Sequence, residues 1–319
     1  MSGPIPNLAK IPHSMLETLL DSVEIKMRDV AQIGGDLSAD SKANISSAIA
    51  YHLQVGGQRV RAKLGLGTAW ALGLNGQDAI SISACAELLH NASLIHDDIQ
   101  DGDLFRRGQP TLWSVYGKNL AICSGDLLLS AAYRVLYDVS IREALPSMIA
   151  LVHERTATAI HGQCADLAEL DPSCDAVDQY LKIAKAKSGA LLSLPIELAL
   201  LAAQFDEFTK VAKTACENFA ICYQIFDDLQ DLESDKIREQ NRQMSSPEMT
   251  HVLNIIFILS ASCNHSEAIA AAFSLAFKHL SLSEESATQL PNRSGHLLLE
   301  QCSAMRSRLI AASDTFERP

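Results

Sequence analysis

A chain of 319 residues with 38 acidic and 26 basic side chains carries a formal net charge of −12, which argues against nonspecific binding to nucleic acid. Hydrophobic residues make up 48 % and charged residues 20 %, enough apolar material for a large core and too little charge for a disordered chain. With only 16 Gly and 10 Pro, turn-rich β-sandwiches, collagen and low-complexity linkers are disfavoured, and helices are the expected alternative.

The N-terminal MSGPIPNLAKIPHSM holds proline-containing turns and no continuous apolar stretch, so it does not read as a signal peptide. From Met15 onward apolar residues recur at three- and four-residue spacing, broken near Gly34-Gly35, Gly56-Gly57, Gly73 to Gly76 and Gly102 to Gly108. This predicts about ten or more helices, an all-α bundle in which 1–319 forms one domain. Strand patterns bounded by Asn-Gly or Asp-Gly turns are absent, and Asn75-Gly76 reads as a helix stop. The most apolar run, Ala190 to Ala203, is interrupted by Ser193, Pro195 and Glu197 and is too short for a membrane span. The cysteines at 85, 123, 164, 174, 216, 222, 263 and 302 show no zinc spacing and read as ordinary cytosolic thiols, so a cytoplasmic location is expected.

Two helical segments end alike: Leu94-Ile95-His96-Asp97-Asp98-Ile99-Gln100-Asp101 and Gln224-Ile225-Phe226-Asp227-Asp228-Leu229-Gln230-Asp231. Residues four apart on a helix lie about 40° apart around its axis, so Asp97 shares a face with Asp101 and Asp227 with Asp231. Carboxylates stacked in this way repel by a few tenths of a kcal/mol when exposed. A single acidic helix end would often be no more than solvated surface. Two copies, each preceded by residues that should be buried, favour facing sites for a hard divalent cation, because magnesium is held by one or two carboxylates plus a substrate's phosphates. Gly56-Gly57-Gln58-Arg59-Val60-Arg61 and Arg106-Arg107-Gly108 add four guanidinium groups, which match phosphate oxygens bidentately. Singly, such arginines are more often surface ion pairs; beside the acidic motif they point to a polyanion site.

These segments resemble the all-trans isoprenyl (polyprenyl) diphosphate synthases. Gly56 to Arg61 is similar to G-G-K-R-x-R, His90 to Asp101 to the first aspartate-rich helix, and Arg106 to Thr111 to R-R-G-x-P-T. Lys187-Ser188-Gly189 is similar to K-T-G and Gln224 to Asp231 to the second aspartate-rich motif. The resemblance implies an isoprenoid-synthase helical bundle with a central cavity, acting as a homodimer. It implies three Mg2+ ions held by Asp97, Asp101 and Asp227, with Asp98, Asp228 and Asp231 assisting. Arg106, Lys187, Ser188 and Gln224 would hold an allylic diphosphate; Gln58, Arg59, His90 and Arg107 would hold isopentenyl diphosphate. The implied reaction is ionisation of the allylic C–O bond, attack by the isopentenyl double bond, and proton loss. Of these residues Asp97, Asp101, Arg106, Lys187, Gln224 and Asp227 would carry the catalysis. A bulky residue about one turn before the first aspartate floors the product pocket in the family; Ala92 and Ser93 are small, which implies a product of about C20 or longer.

Two departures stand out. Gln58 replaces the family's lysine and removes a charge. Leu232 to Met249 contains no glycine where the family has Gly-Lys segments; Lys236 or Arg238 would stand in for the missing lysine, and 237–248 reads as a polar crossing between helices. These keep a non-catalytic regulatory subunit as an alternative. A terpene cyclase is a second, disfavoured because the later helix repeats the aspartate motif. His96 and the pair Gln163 and Asp166 read as hydrogen-bonding or supporting residues. His52, His153 and His161 form no metal-ligand pair.

Overall fold

The computed structural model describes residues 10–32, 44–244 and 252–316. In chain order the helices are α1 (His13–Ala31), α2 (Ile45–Gln54), α3 (Val60–Ala71), α4 (Gly76–Gln100), α5 (Leu112–Tyr116), α6 (Lys118–Leu136), α7 (Leu145–Asp166), α8 (Ala176–Ala184), α9 (Ala190–Ala202), α10 (Thr209–Gln230), α11 (Leu232–Met244), α12 (Ile255–Ser260), α13 (His265–Thr288) and α14 (His296–Phe316). The all-α expectation holds. The helices gather into two compact units, one drawn from Met1–His153 and Leu194–Asp206, the other from Glu154–Ser193 and Glu207–Pro319.

In the first unit α4 is the central element, packed on α6, α3 and α1. Its buried residues include Ala79, Ala84, Ala86, Leu88, Ala92 and Ile95, and the alanines let neighbouring helices approach closely. The α3 crossing depends on Gly65, where a Cβ would lie 2.6 Å from Ser83 Oγ. Asn75 does not stop a helix, as the sequence suggested, but starts one. Its side chain caps α4 by accepting from the Asp78 N–H, while Gly73 at φ +76° closes the helix before it. Buried Asp78 then accepts from the Ser140 N–H and hydroxyl, each at 2.7 Å, tying the start of α4 to the turn after α6.

A two-stranded hairpin that the sequence reading missed, β1 (Phe105–Arg106) and β2 (Gln109–Pro110), follows α4. Its two-residue turn puts Arg107 and Gly108 at φ +53° and +76°, so an Arg-Gly pair fills a turn that usually takes Asn-Gly.

The second unit is built on α10, packed against α13 and the turn Lys185–Gly189. The polar segment after the second motif is helical as far as Met244, because its Glu, Lys, Arg and Gln residues are good helix formers. The rest of the expected crossing, and the Arg238 side chain, lie outside the described residues. Among the described residues no helix is long and apolar enough to cross a membrane.

Candidate active site

The two aspartate motifs fold alike. Asp97 and Asp227 are half-buried, Asp98 and Asp228 buried, Asp101 and Asp231 exposed. Asp101 and Asp231 are the C-caps of α4 and α10, their N–H groups donating to the Asp97 and Asp227 carbonyls at 2.8 Å in both cases. Carboxylates at helix C-termini sit at the negative end of the macrodipole and raise the local demand for a cation. The inward member of each motif is occupied by protein donors. Asp98 accepts from Arg106 Nε at 2.6 Å. Asp228 accepts from the Tyr180 hydroxyl (2.8 Å), the Ile255 N–H (2.8 Å) and Gln224 Nε2 (3.0 Å).

Burial, followed by the charge of Asp231, raises Asp227 to about 7. Burial raises Asp228 to about 7 as well, against the pull of its three donors, and moves Asp98 upward despite Arg106. A carboxylate held in this way is short of positive charge, which a divalent ion would supply. Among the described residues no three His, Cys, Asp or Glu side chains converge as a complete metal cage. Each motif instead carries two carboxylates on one helix face, the number magnesium takes when substrate phosphates complete its shell.

The basic residues of the first unit cluster around the hairpin. The Arg107 guanidinium donates to the Gly56 carbonyl and fills the space a side chain at Gly57 would need. Tyr51 fixes the hairpin by donating to the Pro110 carbonyl at 2.7 Å. Thr111 and the Trp113 indole both donate to the Asp103 carbonyl at 2.8 Å, tightening the loop between motif and hairpin. A narrow cleft is lined by Tyr51, His52, Gly56, Asp98, Arg106 and Arg107. Burial, then the charges of Arg61, Arg107 and Arg106, hold His90 well below the usual histidine range and therefore neutral. Gln58 is exposed beside the glycine pair.

Arg59, expected at isopentenyl diphosphate, has protein partners. Its side chain is 11 % exposed and its guanidinium meets protein acceptors: Nε Glu24 at 3.0 Å, Nη1 buried Glu87 at 4.0 Å, and Nη2 the Leu53 carbonyl at 3.3 Å. Arg61, two residues on, is the guanidinium whose charge weighs most on His90. Position in the motif does not reveal which of the two arginines meets a buried acid. His96 packs its ring on Gly125, with Nε2 3.6 Å from Asp126 and 3.5 Å from the Ile122 carbonyl. Ala92 is buried, and the Ser93 hydroxyl donates to its own helix at His90. His52 donates from Nε2 to Asn91 at 3.1 Å, a structural contact.

In the second unit Lys187 and Ser188 lie in a π-helical turn, Lys185–Gly189, between α8 and α9. Such turns widen a helix and often mark functional positions. Lys187 Nζ is 2.5 Å from Asp166. The approach needs Gly162, where a Cβ would come within 2.7 Å of the Ala186 carbonyl carbon. Gln163 is buried on the same helix. Gln224 is half-buried and spends its amide on Asp228. Lys236 pairs with Glu233 at 2.7 Å. Tyr180 and Asn254, which support the second motif, carried no sequence signal.

A sequence model described as polyprenyl synthetase matches residues 42–284. The chain is 34 % identical over 174 residues to a (2E,6E)-farnesyl diphosphate synthase of Mycobacterium tuberculosis, covering 54 % of this chain and 48 % of that protein. It is 37 % identical over 175 residues to a geranylgeranyl diphosphate synthase of the same species, covering 54 % and 50 %. The chain thus spans about half the length of these curated relatives. Among solved structures, geranylgeranyl pyrophosphate synthetase from Pyrococcus horikoshii superposes with a TM-score of 0.75 at 22 % identity, covering 92 % of this chain and 97 % of that one, a likeness of fold.

Proposed function

The chain belongs to the polyprenyl synthetase family, and from that premise we propose that it is a magnesium-dependent prenyltransferase joining isopentenyl diphosphate head-to-tail to an allylic prenyl diphosphate. The observation that carries the reading is the repeated helix end, with Asp97 and Asp101 on one shared helix face and Asp227 and Asp231 on another, while Asp98 and Asp228 are buried and accept from protein donors.

Asp97, Asp101, Asp227 and Asp231 are the proposed magnesium ligands, and Asp98 and Asp228 hold the motifs in place. Magnesium, when bound, neutralises the diphosphate leaving group and stabilises the charge that develops on it. Arg106, Lys187, Ser188 and Gln224 are assigned to the allylic diphosphate, where fixed cations and donors favour its departure. Arg61, neutral His90 and Arg107 are assigned to isopentenyl diphosphate, with Gln58 adding an uncharged donor and Arg59 supporting the loop from behind. Buried Ala92 and Ile95 present apolar surface that would exclude water from a carbocation. Small residues at 92 and 93 support a product of about C20 or longer, and the assembly is proposed to be a homodimer.

The test is incubation of purified protein with Mg2+, isopentenyl diphosphate and, in turn, dimethylallyl, geranyl and farnesyl diphosphate, followed by measurement of product lengths. Linear all-trans diphosphates are expected. No consumption of isopentenyl diphosphate with any primer would overturn the reading, and cyclic hydrocarbon from an allylic diphosphate alone would replace it with a cyclase.

A further inference from the structure

Asp228 of the second motif is held by a residue 26 positions further along the chain. Asn254 is 1 % exposed and is the N-cap of α12, its Oδ1 accepting from the Ile256 N–H at 2.8 Å. Its Nδ2 donates to the Asp228 carbonyl at 3.0 Å and to Asp235 Oδ2 at 2.9 Å. The next residue, Ile255, gives its N–H to the Asp228 carboxylate at 2.8 Å, and Tyr180 donates to the same oxygen. Both the main chain and the side chain of Asp228 are therefore clamped by α8 and the start of α12. The first motif closes differently: the Asp98 carbonyl accepts from the Asp103 N–H at 3.0 Å, five residues away. One motif is locked locally, the other by a distant segment.

A helix end exposes carbonyls that its own turns cannot satisfy. Fixing the Asp228 carbonyl and carboxylate together removes the freedom of the last turn of α10 to rotate or fray. Asp227 and Asp231 then stay on their shared outward face, about 40° apart around the axis. Without the clamp the same carboxylates remain in the sequence but lose their common direction.

We propose that Asn254 and Tyr180 are positioning residues for the second aspartate motif, a latch from α12 and α8 that keeps Asp227 and Asp231 directed at a magnesium–diphosphate ligand. The inference rests on the assignment of that motif under Proposed function. Neither residue would touch the ligand; both act through Asp228. Groups that orient metal ligands in this way typically set metal affinity by about 10- to 100-fold.

The experiment titrates manganese, followed by electron paramagnetic resonance, into full-length protein with inorganic pyrophosphate present. An Asp97→Asn/Asp101→Asn background leaves the second motif as the carboxylate set being measured. Tyr180→Phe removes one donor to Asp228. Asn254→Ser keeps an N-cap acceptor for Ile256 and removes the amide that donates to Asp228 and Asp235, so it separates loss of the latch from loss of the α12 cap. Each is expected to weaken manganese binding about tenfold. In the otherwise unaltered chain each should raise the Mg2+ midpoint of the condensation and leave the KM for isopentenyl diphosphate unchanged. Should Asn254→Ser fail to fold, as a melting curve would show, Tyr180→Phe decides. Variants that bind manganese as tightly as their background overturn the latch alone. A background and a wild-type chain that bind none overturn the magnesium reading, and the latch with it.

Discussion

Replacing Arg59 by Met should destabilise the protein and leave the affinity for isopentenyl diphosphate nearly unchanged. Arg59 bridges Glu24 and Glu87, and Glu87, 2 % exposed, also accepts from the Ala62 N–H at 3.0 Å. Removing the guanidinium strands a buried carboxylate, a change that costs about 3–5 kcal/mol when one partner of a buried pair is lost. The Arg59–Glu87 separation of 4.0 Å is long for an ion pair, which places the expected loss near ~3 kcal/mol. At roughly 2–3 °C per kcal/mol for a chain of this size, the melting temperature should fall by about 6–9 °C. Adding Glu87→Gln should recover much of that loss, since the stranded charge disappears while the amide oxygen still accepts from Ala62. Differential scanning calorimetry of the two single variants and the double variant measures the coupling. A single variant that melts with the wild type and raises the KM for isopentenyl diphosphate would refute the reasoning and return Arg59 to the substrate.

Gly57→Ala places a methyl where the Arg107 guanidinium lies, so the KM for isopentenyl diphosphate should rise about tenfold, the equivalent of one charge-assisted hydrogen bond, with little change in melting; steady-state kinetics checks it. His52 is buried and lowered to about 4 in the folded protein against 6.5 unfolded, first by desolvation, so it folds neutral. The wild type should therefore lose up to about 3 kcal/mol relative to His52→Gln as pH falls from 6.5 to 4, with the difference between the two proteins independent of pH above and below that window; denaturant unfolding of both proteins across pH tests the sign. Ala92→Phe should shorten the product, and an unchanged product distribution would remove Ala92 from the control of chain length.

The helical class and the two motifs were legible because they depend on local periodicity: apolar residues three and four apart, and carboxylates four apart. The hairpin at 105–110 escaped because its turn is Arg-Gly, and an arginine at positive φ has no sequence signature when the surrounding contacts select it. Asn75 was misread for a related reason. The same residue types close one helix and open the next, and here the Asp78 N–H sits where only an N-cap can accept it.

The division of labour within each D-D pair was half legible. Neighbouring helix residues point about 100° apart, so Asp98 cannot share the face of Asp97 and Asp101, nor Asp228 that of Asp227 and Asp231. Geometry alone therefore separates two outward carboxylates from one inward carboxylate in each motif. What the inward one meets is a property of the fold: Arg106 across a hairpin for Asp98, and Tyr180, 48 residues upstream, together with the Asn254-Ile255 segment for Asp228. Six equal acids in the sequence become four candidates for metal and two anchors, and within each motif the anchor fixes the helix end that carries the other two.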